Sequence, residues 1–403
     1  MADRLSNVPR KNTVSHQPAG IVEPFLCAFL RGETLNWPQT APKAFIAGFL
    51  QRAAYHGVLP LVHDRLQREP ASAHGWPRPI LEACREDALG HAMWELRHRD
   101  LLMRVLARLA TIGVRPVLFK GTALAYTTYP AGALRVRGDT DMFISSGTRS
   151  QAAAALEAEG FQQQLDASGE FVFYQASFIS HDEGGGKHAL DVHWRINNSE
   201  LLSRLFEHQE LLQNARPVPR LGPDAWAAGN VDALLLACMH RATHQQAPYY
   251  VDGVAHYGGD RLIWLYDIHL LAGGFSRDDW DALIMRARQK GLVAVCLEGL
   301  EQTRASFHTL VPEPVLATLC RQGEAEAIAR YLSGGVLRQQ WMDFCAIAGA
   351  ANKMRFLTQT IFPPASYIRQ KYAHSGIEWL PWLYVRRVSG GVLKRLHRQA
   401  HTQ

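Results

Sequence analysis

A chain of 403 residues, 47% hydrophobic and 20% charged, is long enough for a large core or for two or three packed subdomains, and too apolar to be disordered throughout. Its 43 basic and 37 acidic residues leave a net charge of +6, mild at this size, which permits an anionic partner without demanding one. No run approaches the ~20 apolar residues of a membrane span, and the six cysteines (Cys27, Cys84, Cys238, Cys296, Cys320 and Cys345) are scattered without CxxC or other metal spacing, which argues against a membrane protein and a disulfide scaffold.

Residues 1–19 are polar and contain proline, and read as a disordered lead. The opening MADRLSNVPRKNTVSHQ lacks the apolar core of a signal peptide, so a cytoplasmic protein with buried free thiols is expected. Residues 20–113 read as an N-terminal helical region, with helical spacing from Ile21 to Arg31 and from Pro42 to Arg68 and a loop from Pro70 to Pro79. One or two long helices follow from Ile80 to Ile112, where Leu101, Leu102, Val105, Leu106 and Leu109 form a stripe that Gly113 ends.

Residues 114–198 carry the strand signals. Val117 to Phe119 reads as a buried strand, Lys120-Gly121-Thr122 as a tight turn into a helix, and Asp139 to Ser145 as a second strand. An alanine-rich helix from Arg149 to Glu159 closes at Gly160, and Phe171 to Ile179 and Ala189 to Ile196 are further strands. Between these two lies SHDEGGGKH, a hairpin connection whose glycines lack the spacing of a phosphate loop. Residues 199–403 read as almost entirely helical, with helices over Val231 to His244, Arg261 to Leu271, Arg277 to Lys290 and Leu292 to Leu310. The last sixty residues combine Phe362-Pro363-Pro364, Trp379, Trp382 and Tyr384 with a basic end of Arg386, Arg387, Lys394, Arg395 and Arg398. A solvated basic helix, a nucleic-acid contact and an interfacial membrane contact all fit that end.

The chemistry concentrates in the strands. Asp139 and Asp141 are two apart, so a strand turns both to one face, and Asp191 in a third apolar strand can complete a trio. Three acids on one patch repel one another, and divalent cations with phosphate relieve that repulsion, which points to phosphoryl or nucleotidyl transfer. Gly121 and Thr122 open a helix whose N-terminus favours phosphate oxygens. Lys120, Arg135 and Arg137 are the candidates to neutralise a triphosphate, the two arginines sharing strand parity with the aspartates if the strand begins that early. His193 faces the Asp191 side as a nucleotide contact or a hydrogen-bonded, half-buried histidine, while Trp194 faces the core. His240 and His244 stand four apart on one helical face, a spacing that can bind zinc, but without an accompanying glutamate or thiol cluster they read as a packed pair or as a pair that supports the site from behind. Asp267 reads as structural, paired with a base such as Arg261.

The ordered elements Lys120-Gly121, Tyr129-Pro130, Leu134-Arg135, Gly138-Asp139-Thr140-Asp141 and Asp191-Val192-His193-Trp194-Arg195 resemble the uncharacterised bacterial nucleotidyltransferase family of the polymerase-β superfamily. The resemblance runs more weakly through His240, Arg261 to Asp267, and Phe362-Pro363 to Tyr372, covering roughly residues 54–387. It departs where Thr122 follows Gly121 in place of a second small residue, in a longer gap to the first acid, and at Arg137, where an apolar residue is expected. The resemblance implies an α+β fold: a polymerase-β-like mixed sheet flanked by an N-terminal helical region and a larger C-terminal helical domain. It further implies a two-metal Mg²⁺ site, with Asp139 and Asp141 on the ion that carries the NTP, ATP among the candidates, and all three acids on the second ion. Asp191 would assist deprotonation of the acceptor, and Lys120, Gly121, Thr122, Arg135, Arg137 and His193 would contact the nucleotide. The acceptor, a hydroxyl or phosphate of a small molecule, a peptide or protein, or RNA, stays open; nucleic acid is possible without being indicated. A non-catalytic nucleotide-binding module with this fold is the alternative, and an all-helical RNA or membrane adaptor a third reading.

Overall fold

A computed structural model of the chain describes residues 19–38, 43–73, 75–164, 173–245, 249–251, 254–256, 260–321, 326–372 and 379–387. Its centre is a mixed seven-stranded sheet built from β1 (Val117–Phe119), β2 (Asp139–Phe143), β3 (Gln162–Gln163), β4 (Gln175–His181), β5 (Lys187–His193), β6 (Arg216–Pro217) and β7 (Trp226–Ala227), ordered β3-β4-β5-β2-β1-β7-β6. β1 runs antiparallel to β2, β2 parallel to β5, and β4 and β5 form the hairpin around the glycine-rich connection. Among the described residues no helix is long and apolar enough to cross a membrane.

The period-two alternation of the strands divides the core in two. Val117 and Phe119 of β1 and Phe143 of β2 belong to one buried cluster, which continues into the helices Ala19–Leu30, Lys43–His56, Asn230–His244, Leu262–Gly273 and Val293–Phe307. Leu118, Met142, Leu190 and Val192 point the other way, against Leu102, Val105, Leu106 and Leu109 of the helix Arg78–Thr111 and Ala152, Ala155 and Leu156 of the helix Arg149–Ala158. By the same alternation Asp139, Asp141, Asp191 and His193 share the first face.

Several sequence expectations shift in detail. The apolar stretch from Pro42 to Arg68 is two helices, Lys43–His56 and Leu59–Arg68, because Gly57 between them takes a left-handed φ of +68°. The stretch from Ile80 to Ile112 is one helix of 34 residues, Arg78–Thr111. Residues 171–172 of the expected third strand lie outside the described residues, and the observed strand is Gln175–His181. The region after Ile196 is not all helix. β6 and β7 join the main sheet, β7 pairing parallel with β1, and Tyr249–Val251 and Val254–His256 form a separate two-stranded ladder. Segments of two or three residues, one ending in Pro217, are too short to show any periodicity. Four cysteines are buried free thiols as expected, but Cys320 and Cys345 are exposed.

Candidate active site

The chain leaves β1 at Phe119 and turns at Lys120, whose φ of +55° is left-handed. That conformation costs a residue with a Cβ on the order of 1 kcal/mol, and such strain is held where the surrounding structure enforces it. The turn carries the Lys120 ammonium across to β2, 2.6 Å from Asp141 Oδ1. The helix Lys120–Thr127 begins there.

Register does the rest. Asp141 is directly opposite Asp191 in the parallel β2/β5 pair, so the two carboxylates, fifty positions apart in the chain, rise side by side from the same face. His193 Nε2 lies 2.9 Å from Asp141 Oδ1, and one ligand atom each from Asp141, Asp191 and His193 lie within 4.8 Å of one another. Asp139 opens β2 at the solvent rim, outside that tight group.

The electrostatics separate the two aspartates of β2. Burial opposes ionisation of Asp141, but Lys120 and the His193 hydrogen bond outweigh it and hold the carboxyl far below the usual carboxylate range. Asp139 has water at the strand's end yet is hemmed in by protein and by two more acids. That crowding, with the charges of Asp141 and Asp191, pushes its carboxyl up to about 7. Asp191 accepts hydrogen bonds from Ser177 Oγ at 2.6 Å and Gln175 Nε2 at 3.0 Å, both on the neighbouring β4. Burial holds His193 on the neutral side of its usual range, against the pull of Asp141. Its Nδ1 is buried without a partner. Donating Nε2–H to Asp141 leaves only a bare lone pair unsatisfied, whereas binding a metal through Nε2 would strand an N–H donor, so His193 suits orienting the carboxylate better than ligating an ion.

The other expected phosphate contacts are engaged elsewhere. β2 begins at Asp139, too late for Arg135 and Arg137 to share its parity. Arg135 grips Asp267 with Nε at 2.7 Å and Nη2 at 2.6 Å, both side chains nearly inaccessible. Asp267 therefore pairs with Arg135 and the Tyr129 hydroxyl, while Arg261 donates to the Tyr55 carbonyl. Arg137 is ion-paired with buried Glu95 of the helix Arg78–Thr111. The Thr122 hydroxyl receives Arg137 Nε at 3.0 Å and lies 2.9 Å from Thr140 Oγ1. Gly121 is buried beside Arg135 and Arg137, with room for ordinary contact only.

Thr140, between the two aspartates, faces the opposite side of the sheet. Its hydroxyl lies 2.7 Å from His98 Nε2, and His98 Nδ1 lies 3.2 Å from His188 Nδ1. His188 Nε2 reaches Asp182 in the β4–β5 turn, and Trp94 stacks on His98. This buried chain pins β2 from behind. The turn's own Asp182 accepts the Gly186 amide, so that glycine cluster serves the hairpin.

On the acid face, a cavity of about 30 Å³ lies between Lys120, Phe119, Ile196, Asn197, His240 and His244, room for about one water. The two histidine rings lie 4.5 Å apart between centroids and abut Trp264, with His244 open to solvent.

Residues 43–308 match the family described as uncharacterised nucleotidyltransferase, more than half of the chain. The chain belongs to that family. The match takes in the sheet, the Lys120 turn and the three acids of this nucleotidyltransferase family member, and it stops before the Phe362-Pro363 segment. No curated protein matches the chain.

The donor set suits a hard divalent cation: two carboxylates converge, a third stands at the rim, and Lys120 supplies one positive charge against the three. A cation held there would compete with a proton for this cluster. Divalent-cation affinity is expected to rise about tenfold per pH unit up to about pH 7 and to level off above it, as titration calorimetry with Mn²⁺ from pH 5.5 to 8.5 would measure. The sign for folding is opposite. A carboxyl raised from its ordinary 3.8 to about 7 gives the metal-free fold a contribution present below about pH 4 and lost as pH rises to about 7. A flat affinity profile would refute the assignment to Asp139.

Proposed function

We propose that this family member is a Mg²⁺-dependent nucleotidyltransferase that moves an NMP from an NTP to a hydroxyl or phosphate acceptor on a small molecule, peptide, protein or RNA. The observation that carries this reading is the direct pairing of Asp141 with Asp191 across β2 and β5, beside the Lys120 turn. Ions held by Asp139, Asp141 and Asp191 would supply charge neutralisation at the triphosphate and a more acidic acceptor hydroxyl. Lys120 stands at the start of the helix Lys120–Thr127, where phosphate oxygens are favoured by the helix N-terminus, and offers them its ammonium. His193 orients Asp141, and Ser177 and Gln175 orient Asp191. The acceptor oxygen attacks the α-phosphorus in line, its proton passes to Asp191, and the bond to pyrophosphate breaks. Arg135, Arg137 and Thr122 support this turn through the protein rather than through the nucleotide.

The test incubates the protein with each α-³²P-labelled NTP, Mg²⁺ and host extract, alongside the variant Asp139→Asn/Asp141→Asn. Label transfer by the wild type and none by the variant is the expected result. Equal labelling by both would overturn the assigned chemistry, and Mg-NTP binding without pyrophosphate release would leave a nucleotide-binding module.

A further inference from the structure

We propose that Lys120 is an exchangeable counter-ion: its ammonium occupies Asp141 in the ligand-free protein and passes to a phosphate oxygen when a metal–triphosphate complex takes that carboxylate. The second half of the exchange rests on the nucleotidyltransferase reading; the first stands on geometry alone.

Four observations carry it. The Lys120 Nζ to Asp141 Oδ1 contact, at 2.6 Å, falls on the same oxygen that His193 Nε2 approaches at 2.9 Å. That carboxylate belongs to the group whose ligand atoms lie within 4.8 Å of one another, so a cation in the cluster and the ammonium would meet on one carboxylate and repel. Arg135 and Arg137 are ion-paired with Asp267 and Glu95, whereas Lys120 is ion-paired with an acid of the cluster itself. The left-handed φ of +55° at Lys120 aims this side chain at the acids from the first residue of the helix that would meet the phosphates.

The side chain is also able to move. Lysine is a compact charge on a flexible stem, and Lys120 keeps 23% of its side chain exposed while Asp141 keeps 7%. Its ammonium lies 4.9 Å from the Phe119 ring centroid, a second weak hold that does not fix one position. A cation arriving alone must displace an ammonium that has nowhere equally favourable to go. A cation arriving with a triphosphate brings the ammonium its new partner, so the two ligands favour each other's binding.

The test measures Mn²⁺ binding without nucleotide, by the loss of the free-ion paramagnetic resonance signal, in wild type, Lys120→Met, Lys120→Gln and Lys120→Arg. Removal of the charge is expected to tighten Mn²⁺ binding by about tenfold or more, as expected for deleting one cation a few ångströms away, while Lys120→Arg stays near wild type. With a non-hydrolysable NTP analogue added, the order reverses, and Lys120→Met and Lys120→Gln bind the metal–triphosphate complex more weakly than wild type. Unchanged or weaker Mn²⁺ binding in a folded neutral variant would overturn the proposal. The glutamine variant, which keeps a hydrogen-bond donor, provides the measurement if the methionine variant does not fold. Tighter metal binding without label transfer from any NTP would keep the counter-ion and remove the transferase reading; label transfer with unaltered metal binding would do the reverse.

Discussion

Replacing Arg135 by methionine is expected to lower folding stability by about 3–5 kcal/mol, the cost of breaking a buried ion pair from one side. Its guanidinium makes three contacts to the Asp267 carboxylate, at 2.6, 2.7 and 3.0 Å, and donates to the Val136 carbonyl at 2.6 Å. The pair joins the segment entering β2 to the helix Leu262–Gly273, and side-chain exposure is 6% and 5%. Methionine would fill part of the volume but leave a charged Asp267 with the Tyr129 hydroxyl as its remaining polar neighbour among these contacts. Urea denaturation followed by tryptophan fluorescence would read the loss. A double variant, Arg135→Met/Asp267→Leu, should recover much of it, because apolar pairs often replace buried ion pairs at little cost. A single variant within about 1 kcal/mol of wild type, with nucleotide affinity selectively reduced, would return Arg135 to the phosphate role its motif suggested.

That outcome bears on what a sequence can convey. The acid cluster was legible because strand parity is local: Asp139 and Asp141 must share a face, and Asp191 in an apolar strand is anomalous unless it faces a site. The register that sets Asp191 opposite Asp141 was not legible, nor were Ser177 and Gln175, since both depend on how the β4–β5 hairpin closes. Alternation from Gln175 to Ser177 was the available signal, and it needed a hairpin register to become useful. The ion pairs of the arginines were hidden for a different reason. Arg135 and Arg137 sit beside a phosphate-type motif, but their partners lie 132 positions later at Asp267 and on the preceding long helix at Glu95. Spacing along the chain carries no record of such pairs. Likewise Cys320 and Cys345 lie in apolar helical patterns, yet they are open to water. Trp341, Trp379 and Trp382 are exposed in the same C-terminal region, while Lys394, Arg395 and Arg398 lie outside the described residues.

Asp191→Asn is expected to lower the rate of nucleotidyl transfer by about 10³-fold, within the 10²–10⁴ range of a positioned proton acceptor, while leaving the fold and most of the Mg-NTP affinity in place. The substitution keeps shape and removes charge. Ser177 Oγ can still donate to the amide oxygen, but Gln175 Nε2, 3.0 Å from the second carboxylate oxygen, would face another donor. Asp141, Lys120 and His193 lose no contact of their own, so the residue proposed to hold the nucleotide's ion would keep its place. Rapid-quench measurement of transfer, with nucleotide affinity read by calorimetry, separates the two steps. A variant with wild-type rate would remove Asp191 from the chemistry. One that lost affinity and rate in equal measure would make it a ligand of the nucleotide's ion, and a smaller, parallel loss in Ser177→Ala would then trace that role to the hydrogen bond that anchors the carboxylate from the β4 side.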